Sequence, residues 1–359
     1  MIKHPQIRFL VGASAVIGCL LVCTASVHAQ NKLLNKVYTA PDASGFKGDI
    51  DQFINKQLET LKAGGEGLKE AREALAQAAT ANGATPSFLQ VYSSALAADM
   101  AAQGLTAAPD VRVRLNAAIV VDRVAIASSN PALADLATAF AQDKSEAVAI
   151  WGVKAAQPII PAILSSNGNP QGLATAVIAA VKAQADSELI PEDAYNALTL
   201  LSMNESARSK IGGATLKTYV QNPLDLLDYR VGLYQTAIPK NPNADGLGTG
   251  FLAGKYGWNV MSVKQQAQTA TLMVTLANGA ANQLDTYQPP GDLIKLITAD
   301  GSALEVIGKS MGDSTLEKAA NQLWKGINQN SPKDDVLRKI KPVEDAVKAR
   351  FSATSIAGQ

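Results

Sequence analysis

The chain has 359 residues and a formal net charge of +1; it is 47% hydrophobic, 18% charged and 5% aromatic. Its two cysteines and two histidines, Cys19, Cys23, His4 and His28, all lie before residue 30. If that segment leaves as a secretion leader, the remaining chain has no thiol and no imidazole, which excludes disulfides, thiolate nucleophiles, Cys- or His-ligated metals and any imidazole base.

The N-terminus reads as a signal peptide over residues 1–29. Lys3 and Arg8 form a positive start, residues 9–22 are apolar or small, and Val27-His28-Ala29 offers a cleavage site before Gln30. The expected destination is the periplasm or the extracellular space. Two other fates are open. Val16-Ile17-Gly18-Cys19 resembles a bacterial lipobox, which would acylate Cys19, although Leu20-Leu21-Val22 continue the apolar run beyond it. The run to Val27 is also long enough to stay as an anchor. Further on, the most apolar stretch, 173–181, falls well short of the roughly 20 residues that a bilayer core needs, so no membrane span is expected in the mature chain. Acidic and basic residues nearly balance, which leaves no global field for nucleic acid.

Taken in chain order, residues 30–44 read as an extended arm. Ile50, Phe53, Ile54, Leu58 and Leu61 then share one helical face, ended by Gly64-Gly65. A helix over 66–81 closes at Asn82-Gly83, and another opens at Pro86 and runs to Gln103-Gly104. Residues 110–127 form the next. Asn130-Pro131 caps a helix whose inner face is Leu133, Leu136, Ala137 and Phe140. A turn at 143–145 leads into a helix over 146–156, and Pro158 and Pro161 divide the next pair of helices. Asn169-Pro170 starts an apolar helix to Ala185, and Pro191 one to Met203.

Alanine thins beyond a soft boundary near Ile211-Gly212-Gly213, so an Ala-rich domain over 45–212 is expected to precede a second helical region over 213–359. There, Asn222-Pro223 caps a helix carrying Leu224, Leu227, Val231 and Tyr234. Residues 239–258 show no helical or strand period, contain two prolines and five glycines, and read as a long loop. Helices resume over 260–284, 292–299, 314–327 (with Ser314 and Glu317 as a capping box) and 331–351, the last broken or kinked at Pro342. The expected fold class is therefore all-α: short helices, stacked as a solenoid or packed as an irregular bundle.

Two segments about 35 residues apart are alike: Pro109-Asp110-Val111-Arg112-Val113-Arg114-Leu115-Asn116-Ala117-Ala118, and Ser145-Glu146-Ala147-Val148-Ala149-Ile150-Trp151-Gly152-Val153-Lys154-Ala155-Ala156. The first resembles the second helix of a HEAT repeat, in which an acidic residue and Val-Arg precede a small residue; the second lacks the arginine. The resemblance covers about residues 109–203 and implies helix pairs that stack to bury faces neither could bury alone.

Candidate chemistry is sparse. Residues 250–256 have the look of a phosphate loop, but Thr249 replaces its first glycine and Tyr256 its magnesium-binding hydroxyl residue. Residues 241–246 begin like a calcium loop, but Asp245 is the sole charge and Leu252 stands at the twelfth position, so the segment reads as a solvated turn. Ser44 and Lys47 match a Ser-x-x-Lys spacing without the companion motifs of penicillin-recognising enzymes. Asp225 and Asp228 share a helix face and would suit a carboxylate-dependent hydrolase of polysaccharide or cell-wall glycan; the plainer reading is a solvated helix edge. No catalytic, metal or cofactor site is assigned. The aromatic-rich stretch around the glycine-rich segment supplies the candidate binding residues Tyr229, Tyr234, Asp245, Phe251, Tyr256 and Trp258. The function expected is that of an exported, non-enzymatic helical scaffold that binds a protein partner in the cell envelope or outside the cell.

Overall fold

A computed structural model describes residues 32–352, and among them all regular structure is helical, with no strand. The leader, with its lipobox and cleavage site, lies outside the described residues. The chain divides into two compact units, Met1–Ser128 and Ser129–Gln359. That division does not coincide with the change in composition near residue 212, because compactness follows packing and not alanine content.

In the first unit, α1 (Asn35–Tyr38) precedes four longer helices: α2 (Lys47–Ala63), α3 (Leu68–Ala79), α4 (Pro86–Ala102) and α5 (Val111–Ser128). The apolar face read from the sequence is the one α2 buries. Helix α2 packs on α3 and α4, and both of these pack on α5. Pro86 occupies the first turn of α4, and the Thr85 hydroxyl accepts from the Phe88 amide as the cap. The N-terminal segment is not the extended arm expected. It forms α1 and a 3-10 turn, Ser44–Phe46. The reason is burial: Leu33, Val37, Tyr38, Ala40 and Ala43 are all in the core. The Tyr38 ring meets Phe88 edge-on at 5.1 Å, and the Thr85 hydroxyl donates to the Ala40 carbonyl at 2.7 Å.

The second unit begins with α6 (Ala134–Ala141), α7 (Glu146–Ser165), α8 (Gln171–Ala183) and α9 (Ile190–Leu198). Each packs on the next, and α6 also touches α8 as α7 touches α9. Gly152 sets the α6–α7 crossing, since a Cβ there would lie 2.2 Å from the Ala141 nitrogen. The expected division at Pro158 and Pro161 does not occur: both lie inside α7. Proline removes a backbone donor, but the apolar surface buried by Ile159, Ile160 and Leu164 on either side favours one continuous helix. This helix is long and apolar enough to cross a bilayer by length and composition, and 56% of its most apolar window is buried inside the molecule, in contact with α6, α8 and α9.

Two short helices, α10 (Glu205–Arg208) and α11 (Gly213–Tyr219), lead to α12 (Gln221–Leu233), α13 (Asn243–Ala253), α14 (Val263–Asn282), α15 (Pro290–Met311), α16 (Ser314–Gly326) and α17 (Lys333–Ser352). This region departs from the sequence expectation at four places. The long loop over 239–258 contains α13, and a 3-10 turn comes after it at Trp258–Val260. Helix α15 runs through Ala299-Asp300-Gly301 instead of stopping there. Pro342 lies within a continuous α17. The cap of α16 is Asp313, whose carboxylate accepts from the Thr315 and Leu316 amides; the capping box belongs to Ser262 and Gln265 at the start of α14.

Candidate functional site

The most elaborate polar arrangement among the described residues is sealed in the second unit. Arg230 on α12 and Asp245 on α13 have no exposed side-chain surface. The guanidinium donates from Nε to Asp245 Oδ1 at 2.8 Å and from Nη2 to Oδ2 at 2.9 Å. Tyr195 on α9 donates to Oδ1 at 2.9 Å, and Tyr234, just beyond α12, donates to Oδ2 at 2.7 Å. Each carboxylate oxygen thus accepts two bonds. Burial alone would penalise the Arg230 charge, but Asp245 beside it more than offsets this and holds the guanidinium above its ordinary value. Burial, with the Asp245 charge adding to it, pushes both phenols upward. Such a pair costs desolvation energy about as large as the attraction it gains, and its bonds tie α9, α12 and α13 together.

The same packing explains the helix where a loop was expected. A Cβ on Gly248 would come within 2.4 Å of the Tyr195 ring, and one on Gly246 within 3.3 Å of Ala299 on α15. Glycines on this face let α13 approach α9 and α15 closely. Asp245 is therefore no solvated turn residue. Beyond it, Asp300 on α15 is fully buried, and neither carboxyl oxygen has a hydrogen-bond partner among the described residues. Burial pushes its carboxyl well up; Thr249 opposes this and the Asp245 charge reinforces it.

The candidate binding residues do not form one surface. Tyr234 and Asp245 belong to the sealed cluster. Phe251 and Trp258 are core residues, with Trp258 edge-on to Phe351 at 6.4 Å. Glycine content and aromatic density suggest a loop with an exposed platform, whereas both serve close helix packing. Tyr256 and Tyr229 reach the surface. The Tyr256 hydroxyl donates to Glu205 at 2.7 Å; the Arg208 guanidinium lies 5.2 Å and the Lys255 ammonium 5.1 Å from the ring centroid. The exposed Leu201 stands close by in sequence, and Arg208 is tied to that turn by a bond to the Met203 carbonyl at 2.7 Å.

Tyr229 borders an open cleft of 490 Å³ between α8 and α12, together with Thr175, Lys182, Asp225 and Asp228. The Lys182 ammonium lies 5.4 Å from the Tyr229 ring centroid. Asp225 accepts from the Gln221 amide at 2.6 Å, and both it and Asp228 are exposed, as a solvated helix edge would be. A second cleft of 330 Å³ is bounded by the turn before α8 and by α11, and it shares Gln171 with the first. Among the described residues no three His, Cys, Asp or Glu side chains converge as a metal site.

Sequence reasoning missed Arg230, Tyr195 and Asp300. A signal existed for two of them. Arg230 falls one turn after Leu226 and Leu227 on the apolar stripe of its helix, and Asp300 falls between Ile297 and Leu304 on its own. A charge at a core position of a helical period points to a buried partner.

No family model matches the chain, and no curated protein matches it. Among solved structures, an engineered protein from the Northeast Structural Genomics Consortium is similar at 14% identity, covering 94% of this chain and 92% of its own, with a TM-score of 0.29. At that score the likeness carries no argument about fold or function.

Proposed function

We propose that this chain is an exported, non-enzymatic α-helical scaffold that binds a protein partner in the bacterial envelope or extracellular space. The observation that carries the reading is the surface cluster at Tyr256. Tyr and Arg dominate binding hot spots, and here Tyr256 is held by Glu205 and flanked by the Arg208 and Lys255 cations. A HEAT-like stacking of the helices is part of the proposal. Contacts of α6 with α8 and of α7 with α9, on top of those between neighbours, are what stacked helix pairs require. The alternative, a carboxylate-dependent glycan hydrolase, needs one carboxyl kept protonated by burial. Asp225 and Asp228 are both exposed, which favours binding over catalysis.

The test uses chain beginning at Gln30, cross-linked in envelope extract. Tyr256→Ala and Arg208→Ala are expected to lower recovery of the wild-type partner at least about tenfold, matching a hot-spot loss near 2 kcal/mol. Equal recovery removes the partner site from Tyr256. Turnover of a glycan that disappears in Asp225→Asn or Asp228→Asn overturns the non-enzymatic reading.

A further inference from the structure

The contact between α13 and α15 encloses a carboxyl that nothing answers. Asp300 is fully buried, and neither of its oxygens has a hydrogen-bond partner among the described residues. Thr249 of α13 faces it, but the Thr249 hydroxyl donates to the Gly246 carbonyl at 3.3 Å. The charge that reaches Asp300 from α13 is that of Asp245, which has the same sign. Tyr195 of α9 is the other titratable group close enough to feel it, and it is neutral while it donates to Asp245. The charged residues of α14 and α16 are Lys264, Glu317, Lys318 and Lys325; the three lysines are exposed, and none of the four pairs with Asp300. On α15 itself, Lys295 pairs with Asp292 and Lys309 with Glu305.

A carboxylate enclosed without a partner is far costlier than the neutral carboxyl, and the cost falls once water reaches it. The helices around α15 differ in what they would lose by admitting water. Helix α16 meets the neighbouring Gly301 with Leu323 and Trp324, whereas α13 brings Gly246 to within 3.3 Å of Ala299 and brings the polar Thr249 to Asp300. The face with the least apolar side chain in the way is that of α13. We propose that Asp300 is a pH-operated latch: protonated, it lets α13 lie closed on α15, and ionised, it parts the two helices locally. Lys255 and Tyr256 follow the end of α13 within three residues, so opening draws them away from Glu205 and Arg208. The latch stands by itself; its control of partner capture rests on the Tyr256 reading.

The closed form holds a proton that the open form releases. Opening is therefore favoured up to about tenfold per pH unit, from the ordinary aspartate value upward until Asp300 ionises in place. The chain beginning at Gln30 has no cysteine, so one introduced thiol reports one position. Ala253→Cys, at the 3% exposed end of α13, should react with a thiol reagent faster as pH rises, after division by the rate of the exposed Ser209→Cys to remove thiol ionisation. Ala320→Cys, fully buried in α16, should stay protected over the same range. Adding Asp300→Asn should make the Ala253→Cys ratio independent of pH. If Ala253→Cys fails to fold, Ala244→Cys in the first turn of α13 takes its place. A flat ratio in the original chain, a rise that survives Asp300→Asn, or an equal rise at Ala320→Cys overturns the latch. Cross-linking to the partner should weaken with pH in the original chain and not in Asp300→Asn. Opening without that loss overturns only the control of capture, and capture that Tyr256→Ala does not lower at any pH overturns the Tyr256 reading and not the latch.

Discussion

At the residue scale, Asp300 presents the largest unanswered electrostatic demand in the second unit. It is fully buried and its oxygens lack partners, so it holds its proton well above the ordinary 3.8 of an aspartate. An unfolded chain releases that proton near pH 4. Between those two values the native state binds a proton that the unfolded state does not. The stabilisation is complete below the unfolded value and is lost as pH rises through the folded one. Asp300→Asn cannot ionise and removes this slope. Its stability relative to the original chain should rise with pH above about pH 4, by up to about 1.4 kcal/mol per pH unit within the window. Urea midpoints of both chains from acid to neutral pH check this; parallel curves would place the Asp300 proton elsewhere. Asp245 differs because four bonds from Arg230, Tyr195 and Tyr234 answer its charge.

At the element scale, the same residue type carries opposite meanings on one helix. Gly248 and Gly250 both lie inside α13. A methyl group at Gly248 would collide with the Tyr195 ring at 2.4 Å, whereas nothing lies within 4 Å of one at Gly250. Alanine favours helix over glycine by about 1 kcal/mol. Gly250→Ala should therefore stabilise by up to about 1 kcal/mol. Gly248→Ala should destabilise by about 1–3 kcal/mol, because overpacking a closed core outweighs propensity. Chemical denaturation of the two variants gives the comparison, and equal effects would mean that α13 does not approach Tyr195 as described. The glycines that suggested a loop are thus a consequence of close packing. Gly301 in α15 is alike: its Cβ would meet that of Trp324 at 2.9 Å, so Asp300-Gly301 continues the helix despite having the composition of a turn.

At the scale of the whole molecule, the three tryptophans, Trp151, Trp258 and Trp324, all belong to the second compact unit. Fluorescence therefore reports that unit alone, while far-ultraviolet circular dichroism reports helices of both. Two compact units that unfold separately give transitions that do not coincide by these probes, and that is the expected outcome in urea. Superimposable curves would mean a single cooperative transition.

Much of the fold was legible because helix periodicity is local. The inner faces of α2 and α6, the proline at the start of α4 and the absence of strands among the described residues accord with spacing and caps. The candidate site was legible only in part. Helical spacing puts Asp225, Asp228 and Tyr229 close together, and they do line one cleft. The other wall of that cleft comes from α8, more than 40 residues earlier in the chain, and no local pattern indicates that α8 and α12 meet.

The sequence by itself determined the class of secondary structure, the inner faces of α2, α6 and α12, and the absence of Cys and His beyond residue 29. These depend on neighbours three or four positions apart or on composition alone. Only the tertiary structure decided that Asp245 meets Arg230, that residues 243–253 form a helix, and that α8 and α12 face each other across a cleft. Each of those depends on groups distant in sequence, whose contact is fixed by which apolar faces bury one another rather than by any spacing along the chain.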